Sequence, residues 1–327
     1  MTTIVEIKGL TRSYGDTLAL NQLDLVIPQG AIYGFIGPNG AGKTTTMRIL
    51  TTLLEPSSGE AFVAGHSVMR ERAAVRRSVG FMPDFFGVYD NMKSHEYLDF
   101  FAASYDIAPA RRTKLIDDLL GLVDLGHKKD ADVMGLSRGM KQRLSLARTM
   151  LHDPALLILD EPASGLDPRA RVELRELLKE LRSMGKTIMI SSHILTELAE
   201  MCTQIGIIER GNLLASGDVA TIMRSLQPHR SFELHLLPEG DDGMLSALEA
   251  AAALLRDQPN VLDVRVLPES DPPQLQFDFD SDDRAVSALL QRLIGAKLAV
   301  THFAGQASDL EEIFLRVTDG SAYGGTN

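Results

Sequence analysis

Gly37-Pro38-Asn39-Gly40-Ala41-Gly42-Lys43-Thr44 decides how the rest of the chain is read. The octapeptide fits G-x-x-x-x-G-K-[ST], a loop that wraps phosphate groups between a strand and a helix. Its flanks agree. Ala31 to Ile36 is a short apolar run, and Thr44 to Leu54 reads as a helix that stops before Glu55-Pro56-Ser57-Ser58-Gly59. Glycines let successive backbone N–H groups turn inward on an anion, and the helix start, with Thr45 in its first turn, adds partial positive charge. Lys43 has the reach for the terminal phosphates, and the Thr44 hydroxyl is a ligand for Mg²⁺.

Working outward, Leu156-Leu157-Ile158-Leu159-Asp160-Glu161 is an apolar strand ending in two carboxylates. Such a pair holds Mg²⁺ through the first and positions or deprotonates water through the second. Other strand-like runs are residues 3–8, Ala19 to Val26, Thr187 to Ile190 and Gln204 to Ile208, with helices over Pro168 to Met184 and Ile194 to Cys202. This alternation predicts an α/β fold with a largely parallel sheet behind a β-rich opening segment. Residues 91–149 read as helix throughout, which makes a helical insertion of about 85–155. After Gln227-Pro228 the order strand, helix, strand, strand, helix, strand predicts a small α+β accessory domain of ferredoxin-like type, with a last helix over Asp309 to Val317. The expected division is 1–227, 228–320 and a frayed tail, 321–327.

Composition narrows the class. The 327 residues are 44% hydrophobic and 24% charged, ordinary for a globular chain with a real core. Net charge is −11, and residues 228–327 hold 17 acidic against 7 basic side chains, while residues 1–227 hold 27 against 26. That sign opposes binding to nucleic acid through bulk electrostatics. One cysteine, Cys202, excludes an intrachain disulfide and a cysteine metal cluster and fits a reducing compartment. The first residues lack the order of a signal peptide, and no window reaches the ~18 apolar residues of a spanning helix, so a membrane role needs another chain.

Between the two motifs lies Leu136-Ser137-Arg138-Gly139-Met140-Lys141-Gln142-Arg143, and here the sequence resembles the ATP-binding cassette (ABC) ATPases, whose signature L-S-G-G-Q precedes the carboxylate strand. The resemblance extends to Tyr14, to Ser164-Gly165-Leu166-Asp167 as the D-loop and to Ser191-Ser192-His193 as the switch-histidine loop, in the family's order. It implies ATP and Mg²⁺ as ligands, Tyr14 stacked on adenine, Glu161 as general base and His193 at the γ-phosphate. It also implies that Ser137, Arg138, Gly139, Met140 and Asp167 meet nucleotide held by a second subunit. One phosphate loop and one signature per chain imply a pair of chains, most simply a homodimer. The whole chain is similar to the ATPase subunits of type-2 exporters, which implies a separate membrane permease docking near residues 84–101 and a cytoplasmic location at the inner face of the membrane. The competing reading, a soluble ABC ATPase acting on ribosome or DNA, lacks its second ATPase half, coiled coil and basic surface here.

Three positions depart from the family pattern. Asp84 stands where the family has a glutamine that contacts Mg²⁺, and a carboxylate remains a competent Mg²⁺ ligand. Arg138 replaces a signature glycine and Met140 its glutamine. Phe85, Phe86, Tyr89, Tyr97, Phe100 and Phe101 read equally as helical core or as the permease face. Arg70, Arg72, Arg76 and Arg77 read as a solvated face, Cys202 as a small core residue, and the acidic run Asp278 to Asp283 as a strand end.

Overall fold

The computed structural model describes residues 2–85, 87, 91–226, 230–237, 243–280 and 282–305. Two compact units divide at Ile222/Met223, a few residues before the expected boundary.

The first unit opens with β1 (Thr3–Tyr14) and β2 (Thr17–Pro28), an antiparallel hairpin, followed by β3 (Ile32–Ile36) and α1 (Lys43–Leu50). Next come β4 (Ser58–Val63), β5 (His66–Ser67), α2 (Arg72–Ser78) and β6 (Val79–Met82). The helical stretch holds α3 (Ser94–Ser104), α4 (Pro109–Leu122) and α5 (Arg138–Met150). Then follow β7 (Leu156–Leu159), α6 (Pro168–Ser183), β8 (Thr187–Ser192), α7 (Leu195–Ala199), β9 (Gln204–Glu209) and β10 (Asn212–Asp218), and the division falls within α8 (Val219–Leu226). One sheet runs β2-β1-β4-β5 and is antiparallel; the other runs β10-β9-β3-β8-β7-β6, parallel except for its β10 edge.

Burial explains the parallel sheet. Every residue of β3, β7 and β8 is buried, as expected for strands covered on both faces. Val5, Ile7, Leu20 and Leu25 from the hairpin share one apolar core with Met47, Ile49 and Leu50 of α1 and with Phe35 and Ile158 of the parallel sheet. The helices follow their local signals. Pro109 and Pro168 stand at first helical positions, Asp167 caps α6 by accepting from Ala170 N (2.8 Å), and Leu174, Leu177, Leu178 and Leu181 form its buried stripe.

Several elements differ from expectation. The helix after the phosphate loop ends at Leu50, and that after His193 covers only Leu195–Ala199 because the chain must turn at Met201-Cys202 to enter β9. Strands β4, β6 and β10 carry only short or broken apolar runs: β6 is four residues long with Gly80 inside it, and β10 is a half-exposed edge. Tyr97 is core, hydrogen bonded to Arg148 (3.2 Å), whereas Phe85 is 82% and Phe100 43% exposed; Phe86 and Tyr89 lie outside the described residues. The arginines near α2 are occupied on the surface: Arg70 and Arg72 pair with Glu60 and Glu55, and Arg76 Nε donates to Thr52 Oγ1 (2.7 Å).

The second unit contains β11 (Arg230–Leu236), α9 (Gly243–Arg256), β12 (Val261–Leu267), β13 (Gln274–Phe279), α10 (Asp283–Gly295) and β14 (Val300–Gly305), its strands ordered β12-β13-β11-β14, all antiparallel. Phe232, Leu234, Leu236, Leu275, Phe277 and Phe279 face Leu248, Leu255, Leu289 and Leu293 of the helices in a core of its own. The acidic run is used structurally: Asp278 accepts from Ser231, Asp282 caps α10, and Asp283 pairs with Arg230. The helix expected over Asp309 to Val317 and the 321–327 tail lie outside the described residues.

Cys202 Sγ lies beside Leu198 and Ile205 where a side chain on Gly34 would go, and burial pushes its thiol pKa up to about 12. The neutral thiol is therefore favoured by folding; its contribution is complete below the ordinary pKa of 9.0 and is lost as pH rises through 12. At pH 8 the folded protein holds about a thousandfold less thiolate than the unfolded chain. Alkylation by iodoacetamide should thus be slower by that order in buffer than in urea, and equal rates would place the sulfur in solvent.

Candidate functional site

The C-terminal ends of β3, β7 and β8 lie side by side, with Ile36 paired to Ser192 and Leu159 to Ile190. That register brings the phosphate loop, the two carboxylates and the histidine loop together. The loop is held from both sides: Gly37 N donates to Ser192 O (3.3 Å), and Gly211 N donates to Ala41 O (3.0 Å). Gly37 is required by close approach, since a Cβ there would sit 2.2 Å from the Ile208 carbonyl oxygen. Pro38 O accepts from Ala41 N (3.1 Å), while Asn39 and Gly40 are exposed at the tip.

Lys43 is buried and folds into the loop, donating to Gly37 O (2.6 Å) and Pro38 O (3.2 Å), with its ammonium 3.5 Å from Glu161 Oε1. Thr44 Oγ1 donates to Asp160 Oδ2 (2.9 Å), so a hydroxyl and a buried carboxylate converge at the start of α1. Two hard oxygens beside a glycine-rich loop at a helix start are the donor chemistry that suits Mg²⁺ with a nucleotide phosphate, and the residues fit the pair. Thr45 is half-buried in the first turn. Glu161 is a non-glycine residue at φ 49°, a conformation that costs of order 1 kcal/mol or more unless its surroundings impose it. Those surroundings are visible: Glu161 N donates to Ser191 Oγ (2.9 Å), and His193 Nδ1 donates to Glu161 Oε2 (3.0 Å). Glu161 is mostly shielded and His193 half-exposed, which leaves the pair open on one side.

Other positions read from sequence fall around this centre. Tyr14, 45% exposed with the Arg12 guanidinium 4.8 Å above its ring, pairs with Thr17 in the hairpin whose Ala19 and Leu20 pack on Gly42. Asp84 stands apart: it is exposed past the end of β6, with no hydrogen bond or ion pair to any described residue. Ser137 caps α5, its Oγ accepting from Met140 N (3.3 Å), and Gly139 and Met140 form the first turn. Arg138 does something the sequence does not announce. Its guanidinium lies across Gly165, where a Cβ would meet it at 2.4 Å, and reaches Ser164 Oγ (3.5 Å). Gln142 Nε2 also donates to Ser164 O (3.3 Å), so the signature helix and the D-loop are tied within one chain.

A family model described as ABC transporter matches residues 20–164. The Nod factor export ATP-binding protein I of a Rhizobium species (strain N33) is 32% identical over 96% of both chains. The daunorubicin/doxorubicin resistance ATP-binding protein of Streptomyces peucetius is 33% identical over 97% of this chain and 93% of its own. The chain belongs to the ABC transporter family. Within this family it is an ATPase subunit. A bacitracin transport ATP-binding protein of Bacillus licheniformis shares 41% identity over 65% of this chain and 69% of its own. Among solved structures, cbiO1 of Clostridium perfringens, part of an ABC transporter complex, superposes with a TM-score of 0.63 at 27% identity, covering 68% of this chain and 91% of that one. No helix of the described residues is long and apolar enough to cross a membrane.

The two glycines of the loop tip and base should respond differently to alanine. Gly37→Ala places a methyl against backbone and should abolish nucleotide binding. Gly40→Ala meets nothing within 4 Å and carries only the strain of φ 83°, about 1–2 kcal/mol, so it should lower the melting temperature by a few degrees and retain binding. Nucleotide titration and thermal melts of both variants test this, and equal losses would contradict the loop geometry.

Proposed function

We propose that this ABC ATPase subunit is the motor of a multi-chain exporter, in which two such chains close on Mg-ATP and drive a separate membrane permease. The observation that carries the reading is the linked set Lys43, Thr44, Asp160, Glu161 and His193 at adjoining strand ends. Magnesium held by Thr44 and Asp160 neutralises phosphate charge when bound; Asp84 is not needed for that pair of ligands. Lys43 turns from the loop carbonyls to the terminal phosphates. Glu161 accepts the proton of the attacking water, and His193, donating from Nδ1, holds the carboxylate toward it. Tyr14 offers its exposed ring to adenine, and the loop Gly37, Pro38, Asn39, Gly40, Ala41, Gly42 to Thr45 lines the phosphates, with the amides of Asn39, Gly40 and Gly42 onward as donors, since Pro38 has no N–H and those of Gly37 and Ala41 are given to Ser192 O and Pro38 O. Ser137, Arg138, Gly139, Met140 and Asp167 face the nucleotide of the second subunit. The exporter direction rests on what the relatives are named for, Nod factor export and drug resistance.

For the permease, the supporting features are the exposed Phe85 and Phe100 of the 84–101 segment and, separately, a cleft of about 1080 Å³ lined by Arg77, Tyr105, Leu115, Leu119, Leu122 and Met150. The cleft's apolar floor and its rim of mixed charge, with Arg76, Arg77, Arg111 and Lys186 against Asp106, Asp118 and Asp153, suit an amphipathic segment of a partner protein. The second unit, whose strand order is that of a ferredoxin-like split βαβ, has the composition of a regulatory or dimerising module rather than a catalytic one, and its net negative charge would orient it away from an anionic leaflet.

Glu161→Gln should bind ATP as the wild type does, lose at least a hundredfold in steady-state turnover and accumulate as an ATP-bound dimer in sedimentation. Lys43→Ala should instead weaken ATP binding tenfold or more. If Glu161→Gln turns over normally, the base is elsewhere.

A double variant, Phe85→Ser with Leu115→Glu, tests docking separately. Its basal ATPase should match the wild type within about twofold, while the fraction of chain sedimenting with membranes in the host falls severalfold. Unchanged membrane recruitment would move the permease contact off this face.

A further inference from the structure

The position of Ser191 is unusual for a residue with no assigned role. It is wholly buried at the end of β8, and its one hydroxyl serves both neighbouring carboxylate residues. Ser191 Oγ donates to Asp160 Oδ1 at 2.6 Å and accepts from Glu161 N–H at 2.9 Å. Asp160 is thereby held at both oxygens, by Ser191 on Oδ1 and by Thr44 on Oδ2. Glu161 is likewise held twice, through its backbone by Ser191 and through its carboxylate by His193, which stands two residues beyond Ser191 on the same loop.

We infer that Ser191 is a positioning residue for hydrolysis, fixing the left-handed backbone of Glu161 through a hydroxyl that is itself anchored on Asp160. The inference rests on the reading of Glu161 as general base. A positive φ at a glutamate persists only where the surroundings over-determine it, and the Ser191 hydroxyl is the side-chain acceptor that meets that backbone amide. Relaxation toward an ordinary φ would swing the Glu161 side chain away from His193 Nδ1 and Lys43. Misplacement of a catalytic group by about 1 Å costs on the order of a hundredfold. Ser191 itself touches neither the phosphate loop's anion-binding amides nor Lys43, so nucleotide affinity is not its task.

Ser191→Ala should lower kcat between about tenfold and a hundredfold, leave KM for ATP within about twofold and keep the affinity for ATP measured in EDTA. Its melting temperature should stay within a few degrees of the wild type. The discriminating measurement is a double-variant cycle: added to Glu161→Gln, Ser191→Ala should cause no further loss, because it acts through the group already removed. Losses that multiply, a fall in ATP affinity that matches the fall in kcat, or wild-type kcat in the single variant would each overturn the inference. Wild-type turnover in Glu161→Gln alone would instead overturn the base assignment, and the inference would fall with it.

Discussion

The pairing of three wholly buried parallel strands, with Ile36 beside Ser192 and Leu159 beside Ile190, sets everything chemical in the first unit. A parallel register fixes where each strand stops relative to its neighbours: β3 and β8 stop level, and β7 stops two residues short, which brings Asp160-Glu161 beside the last residues of β8. The residues that follow those stops are the phosphate loop, Asp160-Glu161 and His193. None of these groups needs a long-range contact of its own to find the others. Leucine and isoleucine packing does the assembling, and the polar groups then lock locally through hydrogen bonds of 2.6–3.0 Å.

That division explains the uneven legibility of the sequence. The loop at Gly37 to Thr44 and the carboxylates after Leu159 were readable because phosphate and metal chemistry restricts which residue types stand there. Central strands were readable because burial on both faces leaves continuous apolar runs. β6 and β10 were not, because a four-residue strand containing glycine and a half-exposed edge leave no periodic trace. Ser191 was visible as a letter of the Ser-Ser-His segment, yet its double hydrogen bond depends on the offset between two strands far apart in sequence. The Arg138 contact with Gly165 was hidden for the same reason: the positive φ of 68° at Gly165 opens the space the guanidinium fills.

Arg138 also changes how the signature departure is understood. At that position the sequence trades a residue without a side chain for the largest cation, and the structure lays that cation on the D-loop, with Gln142 reaching the same segment. Signature helix and D-loop are therefore tied to each other within one chain, directly and without a nucleotide between them.

The parallel sheet ends on one side in β6, only four residues long, and on the other in β10, whose flank is covered by the hairpin through Asn21 N to Gly211 O and Asn21 Nδ2 to Asn212 Oδ1. β6 is too short a margin for another strand to pair along, and the hairpin meets β10 at Gly211 and Asn212, where that edge begins. A short or partly covered margin discourages a second copy from extending the sheet strand on strand, a route by which exposed β edges aggregate or swap.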